Sequence, residues 1–140
     1  MKLSRTVAYA VQATLQLAQA RTGAPVPCSR LAAAGHMPER FLLQILRHLV
    51  THDILHSTRG VDGGYSLGRK PEEISLLEVI EAVDGPMSVA LPASEGAETS
   101  AAEVKLREAL EEITSSSRRQ LQAIKLSDLL GPRSLAKAAI

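Results

Sequence analysis

Between Pro27 and Leu67 the sequence alternates helix and turn signals in an order that few folds accept. Ser29 stands where it can cap a short helix whose Leu31 and Ala32 point inward, and Gly35 permits a sharp turn after it. Pro38 then opens a longer helix; proline suits the first helical turn because its missing N–H has no intrahelical partner there. On that helix Phe41, Leu42, Ile45, Leu46 and Leu49 form an apolar stripe, while Arg40, Leu43, Gln44 and Arg47 recur on the other face. Two short segments, Ile54 to Thr58 and Tyr65 to Leu67, flank Arg59-Gly60-Val61-Asp62-Gly63-Gly64, which reads as a hairpin with a glycine-rich tip. Short helix, turn, longer helix and hairpin in succession describe a helix-turn-helix followed by a wing.

The flanking segments are helical. Ser4 caps a helix predicted to run to about Arg21, with Val7, Val11, Leu15 and Ala18 at helical spacing and Gly23 and Pro25 ending it. Ser75 and Glu78 have capping-box spacing ahead of Leu77, Val79, Ile80 and Val83, and Gly85-Pro86 stops that helix. Pro92 to Thr99 is small, polar and acidic and reads as an exposed loop. Ser100 and Glu103 start a last long helix, expected to reach about Lys125, on which Leu106, Leu110, Ile113, Ser117, Leu121 and Ile124 step by threes and fours. So long a stripe on so short a chain calls for a partner. After Ser127 one apolar cluster, Leu129 and Leu130, precedes Gly131-Pro132, which ends regular structure. The expected organisation is a winged helix-turn-helix domain over 1–90, a loop over 91–99, an association helix over 100–126 and a tail over 127–140. With Phe41, Tyr9 and Tyr65 as the only aromatics, the core is built from Leu, Ile, Val and Ala, which suits packed helices. The fold class is therefore mainly α with a small β-hairpin.

Charge is unevenly spread. Residues 1–70 hold 9 Lys/Arg against 3 Asp/Glu, whereas residues 71–140 hold 7 against 12. The front half is thus basic, either as a phosphate-binding surface or as a solvated face with no partner. Cys28 is the only cysteine, which excludes an intrachain disulfide and fits a reducing, cytoplasmic setting. No apolar run approaches the roughly 20 residues of a membrane span. Phosphate-loop, nucleophile-elbow and HExxH patterns are absent, so an enzyme is not expected.

Four stretches, Leu3 to Val11, Pro38 to Leu46, Thr58 to Leu67 and Glu73 to Gly85, resemble in order and spacing the Rrf2 family of regulators, which includes the IscR, NsrR and CymR types. The resemblance implies a homodimer binding double-stranded DNA at a roughly palindromic operator, with repression as the adopted reading and the long helix in the place of the family's dimerisation helix. It also implies where this chain departs. Iron–sulfur members carry three cysteines in the loop ahead of the dimerisation helix, and Pro92 to Thr99 has none. Another cluster-binding type uses a Glu and a His on the first helix, where Ala8 and Gln12 stand here. The chain therefore looks like the cluster-free, CymR-like branch, without a cofactor. Where relatives carry a glutamate this chain has Leu43, which can meet a thymine methyl but cannot accept a hydrogen bond from cytosine.

Under this reading Arg40, Leu43, Gln44 and Arg47 enter the major groove, where Arg matches the acceptors of guanine and Gln the donor and acceptor of adenine. Thr58, Arg59 and Gly60 form the DNA-contacting wing, although the glycines are equally required by a tight hairpin. Lys2, Arg5 and Ser29 are candidates for phosphate, Ser29 being equally a plain helix cap. Leu106, Leu110, Ile113, Leu121 and Ile124 are the dimerisation candidates. Two alternatives stay open: a protein-interaction module with a vestigial helix-turn-helix, and a metal sensor built on His48 and His52 at i and i+4, with His36, His56 and Cys28 near in sequence. The lone Cys28 reads as structural, and the effector, small molecule or protein, is not specified by these residues.

Overall fold

The computed structural model describes residues 2–20, 23–91 and 100–130. Helix α1 spans Arg5–Gln19 and is capped as expected, the Ser4 hydroxyl accepting from the Val7 amide at 3.1 Å. Its buried face is Val7, Ala10, Ala13, Thr14 and Leu17, with the predicted Val11 and Leu15 only half-buried. The reason is close approach: alanines at the centre let α1 lie flat against its neighbours, so the larger residues flank the contact instead of filling it. The expected end at Arg21 lies outside the described residues, and the helix has already stopped at Ala20, whose backbone is extended.

Helix α2 is Cys28–Gly35. Its cap is Pro27, whose carbonyl accepts from Arg30 and Leu31, so Ser29 is the second helical residue and not the cap. Leu31 and Ala32 are buried as predicted. The turn that follows is made by His36 in the left-handed conformation, not by Gly35. Gly35 instead lies close against its surroundings: a Cβ there would sit 2.6 Å from Met37 Cε and 2.9 Å from the side-chain amides of Gln12 and Gln16 on α1, flexible ends that would have to move aside. Helix α3, Glu39–Thr51, takes Pro38 as its cap, and the left-handed Asp53 turns the chain straight into strand β1, Leu55–Thr58. Strand β2, Gly64–Leu67, pairs antiparallel with it in the register Leu55 with Leu67 through Thr58 with Gly64.

The hairpin is anchored by a contact the sequence pattern does not announce. Val26 exchanges backbone hydrogen bonds with Tyr65 at 2.8 and 2.9 Å, so the segment before α2 acts as a one-residue third strand. Gly64 is what allows it, because a Cβ there would collide with the Val26 and Pro27 backbone.

Helix α4, Leu76–Asp84, has the predicted reciprocal capping box: the Glu78 amide donates to Ser75 Oγ at 3.1 Å and the Ser75 amide to Glu78 Oε2 at 2.8 Å. Arg69, at the root of the hairpin, bonds the same carboxylate at 2.8 Å. Burial works to raise the Glu78 carboxyl, but the Ser75 amide, Arg69 and the Ser75 hydroxyl outweigh it and hold the group below its ordinary value near 4.5. A lowered carboxyl stabilises the fold when ionised, so that contribution is complete above the ordinary value and is lost as pH falls through the lowered one. Glu78→Gln is accordingly expected to be less stable at pH 7 and to show a shallower acid limb when unfolding is followed by circular dichroism. An acid limb identical to the parent's would refute this.

Helix α5, Ala101–Ala123, is capped by Ser100, whose hydroxyl accepts from the Glu103 amide at 3.1 Å. It ends two residues short of the predicted Lys125, because Ile124 leaves the helix and its carbonyl accepts from the Leu76 amide at 2.8 Å. Residues 126–130, expected mainly as tail, form a short helix α6, Leu126–Leu130, with the Lys125 amide capped by Asp128 at 2.8 Å. Leu126 is completely buried, and its amide donates to the Ile74 carbonyl. The predicted loop over 92–99 and the tail beyond 130 lie outside the described residues. One core gathers α1, α2, α3, the hairpin, α4 and Leu126; a second, of Val7, Leu77, Ile80 and Leu121, joins α5 to α1 and α4.

Candidate nucleic-acid interface

The candidate surface begins with the angular spacing of α3. At about 100° per residue, Leu42, Ile45, Leu46 and Leu49 cluster in one direction and all are buried. Arg40, Gln44 and Arg47 fall roughly opposite and are exposed. Phe41 and Leu43 lie about a right angle to either side of the buried direction. Phe41, placed in the apolar stripe by sequence, is in fact 37% exposed, covered partly by an edge-on contact with Tyr9 at 5.8 Å between ring centroids. Leu43 is half-exposed, so the outer face of α3 has an apolar margin.

The hairpin issues directly from the end of α3 through the Asp53 turn, with the Asp53 and Ile54 amides bonded back to Val50 and Leu49 at 3.0 Å. Its tip is open: Thr58, Arg59 and Gly60 are exposed, and Gly60 has a positive φ of 110° with open space where a Cβ would stand. Lys2, Arg5 and Ser29 are also exposed, and Ser29 lies in the first turn of α2. The described cations thus divide into two kinds. Arg69 and Arg118 are tied to Glu78 and Glu81 and brace the fold. The other described Lys and Arg have no ion pair: Arg40, Arg47, Arg59, Lys2 and Arg5 are among them, and so are Arg30, Lys70, Lys105, Arg107, Arg119 and Lys125.

The long helix separates the five association candidates. Leu106 and Ile113 are 51% and 62% exposed and Leu110 half-buried, with Val104 exposed nearby. Leu121, in contrast, is 7% exposed because it packs on Val7, Leu77 and Ile80. Ile124 is past the helix end and half-buried. Within one chain, the lower stripe is therefore already covered and the upper stripe is not. The covered end is further fixed by Glu81, whose carboxylate takes both Arg118 of α5 and the Met87 amide, the latter at 2.7 Å. Sequence reasoning had no signal for that bond, because its partners are far apart in the chain.

The metal alternative gains no support from the geometry. His52 Nδ1 lies 2.9 Å from the His48 carbonyl, and no three His, Cys, Asp or Glu come together to hold an ion among the described residues. Cys28 is half-buried at the start of α2, its thiol 3.7 Å from the Glu39 carbonyl. Burial and then the Glu39 carboxylate push its pKa up, which disfavours the reactive thiolate. Iodoacetamide at neutral pH is expected to alkylate Cys28 about ten-fold more slowly in the folded protein than in urea. Equal rates would show that the thiol is not protected.

With this geometry in place, similarity to known proteins is informative. Residues 3–132 match the Rrf2 family, described as "Iron-dependent Transcriptional regulator". Rv1287 of Mycobacterium tuberculosis, a candidate HTH-type transcriptional regulator, is 43% identical over 88 residues, which is 63% of this chain. The chain spans 55% of the length of that relative. Two solved structures superpose with a TM-score of 0.73 at 26% identity: CymR, named the global cysteine regulator of B. subtilis, over 92% of this chain and 95% of that one, and IscR of T. potens, over 100% and 92%. The matched family and the named relatives Rv1287 and CymR are described as regulators, and none of them as an enzyme.

Proposed function

The chain belongs to the Rrf2 family of transcriptional regulators, and on that premise we propose that it binds an operator in double-stranded DNA as a homodimer, represses from it, and does so in the cytoplasm without an iron–sulfur cluster. The observation that carries the reading is placement: exposed Arg40, Gln44 and Arg47 share the outer face of α3, and the hairpin that carries Arg59 issues directly from the end of that helix; Arg107 and Arg119 on α5 are unpaired too, so it is this layout and not the lack of a partner that marks the surface. In this reading Arg40, Leu43, Gln44 and Arg47 contact base edges in the major groove, Arg59 with Thr58 and Gly60 follows the adjacent minor groove, and Lys2, Arg5 and Ser29 meet phosphate. Two copies related by a dyad present two such heads, which is why the operator is taken as palindromic.

Residues 1–90 serve as the reading head and the uncovered upper part of the 100–126 segment as the association element, with the 92–99 connection between them. The family description names iron, and the donor set argues for a member that does without a cluster. A cluster needs several thiolates; this chain has one cysteine, half-buried and held protonated. The first test is binding to genomic fragments by footprinting at graded salt. If about six phosphates are neutralised, affinity falls about 10³-fold between roughly 50 and 200 mM salt. A complex that ignores salt, or no protected site at all, would sink the proposal.

A further inference from the structure

The described surface holds a cavity of about 270 Å³ where the N-terminal arm, the end of α4 and the base of α5 meet, and Lys2, Ser4, Ile80, Asp84, Met87 and Leu121 line it. Its floor is apolar: Ile80 and Leu121 are 5% and 7% exposed and belong to the cluster on which Met87 packs. Its walls carry opposite charges that are not spent on each other. Asp84 is the last residue of α4, and its carboxylate accepts from the Ser4 hydroxyl at 3.1 and 3.2 Å. Among the described residues no cation pairs with Asp84 and no carboxylate with Lys2. The carbonyl end of α4 adds to the negative potential at Asp84.

An apolar floor between an unpaired carboxylate and an unpaired ammonium is complementary to a small molecule with both charges and an apolar side chain. We propose that this cavity binds a free α-amino acid with an aliphatic or thioether side chain, its ammonium at Asp84, its side chain on Ile80, Met87 and Leu121, and its carboxylate at Lys2, which an occupant thereby withdraws from the DNA phosphate it meets in the empty protein. The volume agrees, being just under the roughly 300–1,000 Å³ of pockets that hold drug-sized ligands. A larger cavity of about 470 Å³ beside the hairpin root is a poorer candidate, because its Arg69 is already bonded to Glu78 and to the Asp53 and Glu73 carbonyls.

Position gives the site a regulatory consequence, which rests on the DNA-binding reading above. Ser4 caps α1, Asp84 ends α4 and Leu121 is the buried foot of α5, so an occupant touches three of the elements at the joint between the winged head and the long helix. Filling the cavity biases the angle between them and hence the spacing of two heads in a dimer.

The test uses ¹⁵N-labelled full-length protein titrated with L-leucine and L-methionine, with isoamylamine and 4-methylpentanoate as probes carrying one charge each. Saturable amide shifts are expected at Ser4, Asp84, Gly85, Met87 and Leu121 with the amino acids, and much weaker ones with either single-charge probe. Asp84→Asn, which keeps an acceptor for Ser4, and Lys2→Ala should each weaken binding about ten-fold, equivalent to about 1.4 kcal/mol. Ser88→Trp at the exposed rim should block entry. No saturable shift with either amino acid, equal binding by a single-charge probe, or unchanged affinity in Asp84→Asn would overturn the proposal. Shifts that persist in a protein without DNA affinity would support the pocket while overturning the regulator reading, so the two failures are distinct.

Discussion

Removing Arg47 and Arg59 together, as Arg47→Ala with Arg59→Ala, is expected to lower affinity for a footprinted operator by at least about 30-fold, since each base-directed arginine contributes about 1–3 kcal/mol. The fold should not notice. Both side chains are exposed and bonded to nothing described, so the melting temperature and the far-ultraviolet spectrum should match the parent's. Net charge alone predicts a similar loss for any two cations. The control is therefore Arg107→Ala with Arg119→Ala, two exposed arginines on α5, which changes the charge equally but should leave operator affinity within a few-fold. Measured by fluorescence anisotropy at fixed salt, equal losses in the two pairs would mean that the protein binds DNA only as a diffuse polycation. An unchanged affinity in the first pair would remove α3 and the hairpin from the interface altogether.

Leu43 adds a qualitative expectation to the same experiment. Its half-exposed side chain brings an apolar margin to a face otherwise made of Arg and Gln, so discrimination there rests on a thymine methyl and not on a hydrogen bond. Leu43→Ala should relax preference at one base pair while leaving the salt slope unaltered, because no phosphate contact is lost.

Much of this surface was legible from the sequence because it depends on local rules. Helix period alone separates Leu42, Ile45, Leu46 and Leu49 from Arg40, Gln44 and Arg47, and the Ser4, Ser75 and Ser100 caps follow from side-chain reach within one turn. What was illegible depends on residues distant in the chain. Ser29 looks like a cap until Pro27 is seen to occupy that place, and Phe41 looks buried until the fold leaves it 37% exposed beside Tyr9 of α1. The Val26 bridge to Tyr65 and the grip of Glu81 on Arg118 have no local signature at all. Leu121 shows the same limit most plainly: its spacing puts it on one stripe with Leu106 and Ile113, yet tertiary packing gives it to a different neighbour.

That division of the stripe is the basis of the second large effect, Leu106→Glu with Ile113→Glu. Helix α5 has 23 residues, and Leu121 alone is buried within the chain, so most of the helix gains little from its own domain. A helix of this kind persists in water when its apolar stripe is covered, and a second copy of the same stripe is the self-complementary cover. Placing carboxylates at Leu106 and Ile113 puts like charges across the dyad and removes apolar area from both partners at once. The parent should elute with twice its 14.9 kDa chain mass in light scattering, and the variant with the single mass. Operator affinity should then fall by about 10²–10⁴-fold, because a monomer loses the effective concentration that the second head supplies. The winged head should remain folded, since its core does not include either residue. Leu121→Glu provides the opposite case: it should lower the melting temperature, as it places a charge among Val7, Leu77 and Ile80. If Leu106→Glu with Ile113→Glu stays dimeric and binds its operator as the parent does, the upper stripe of α5 is not the interface, and the two heads must be joined elsewhere.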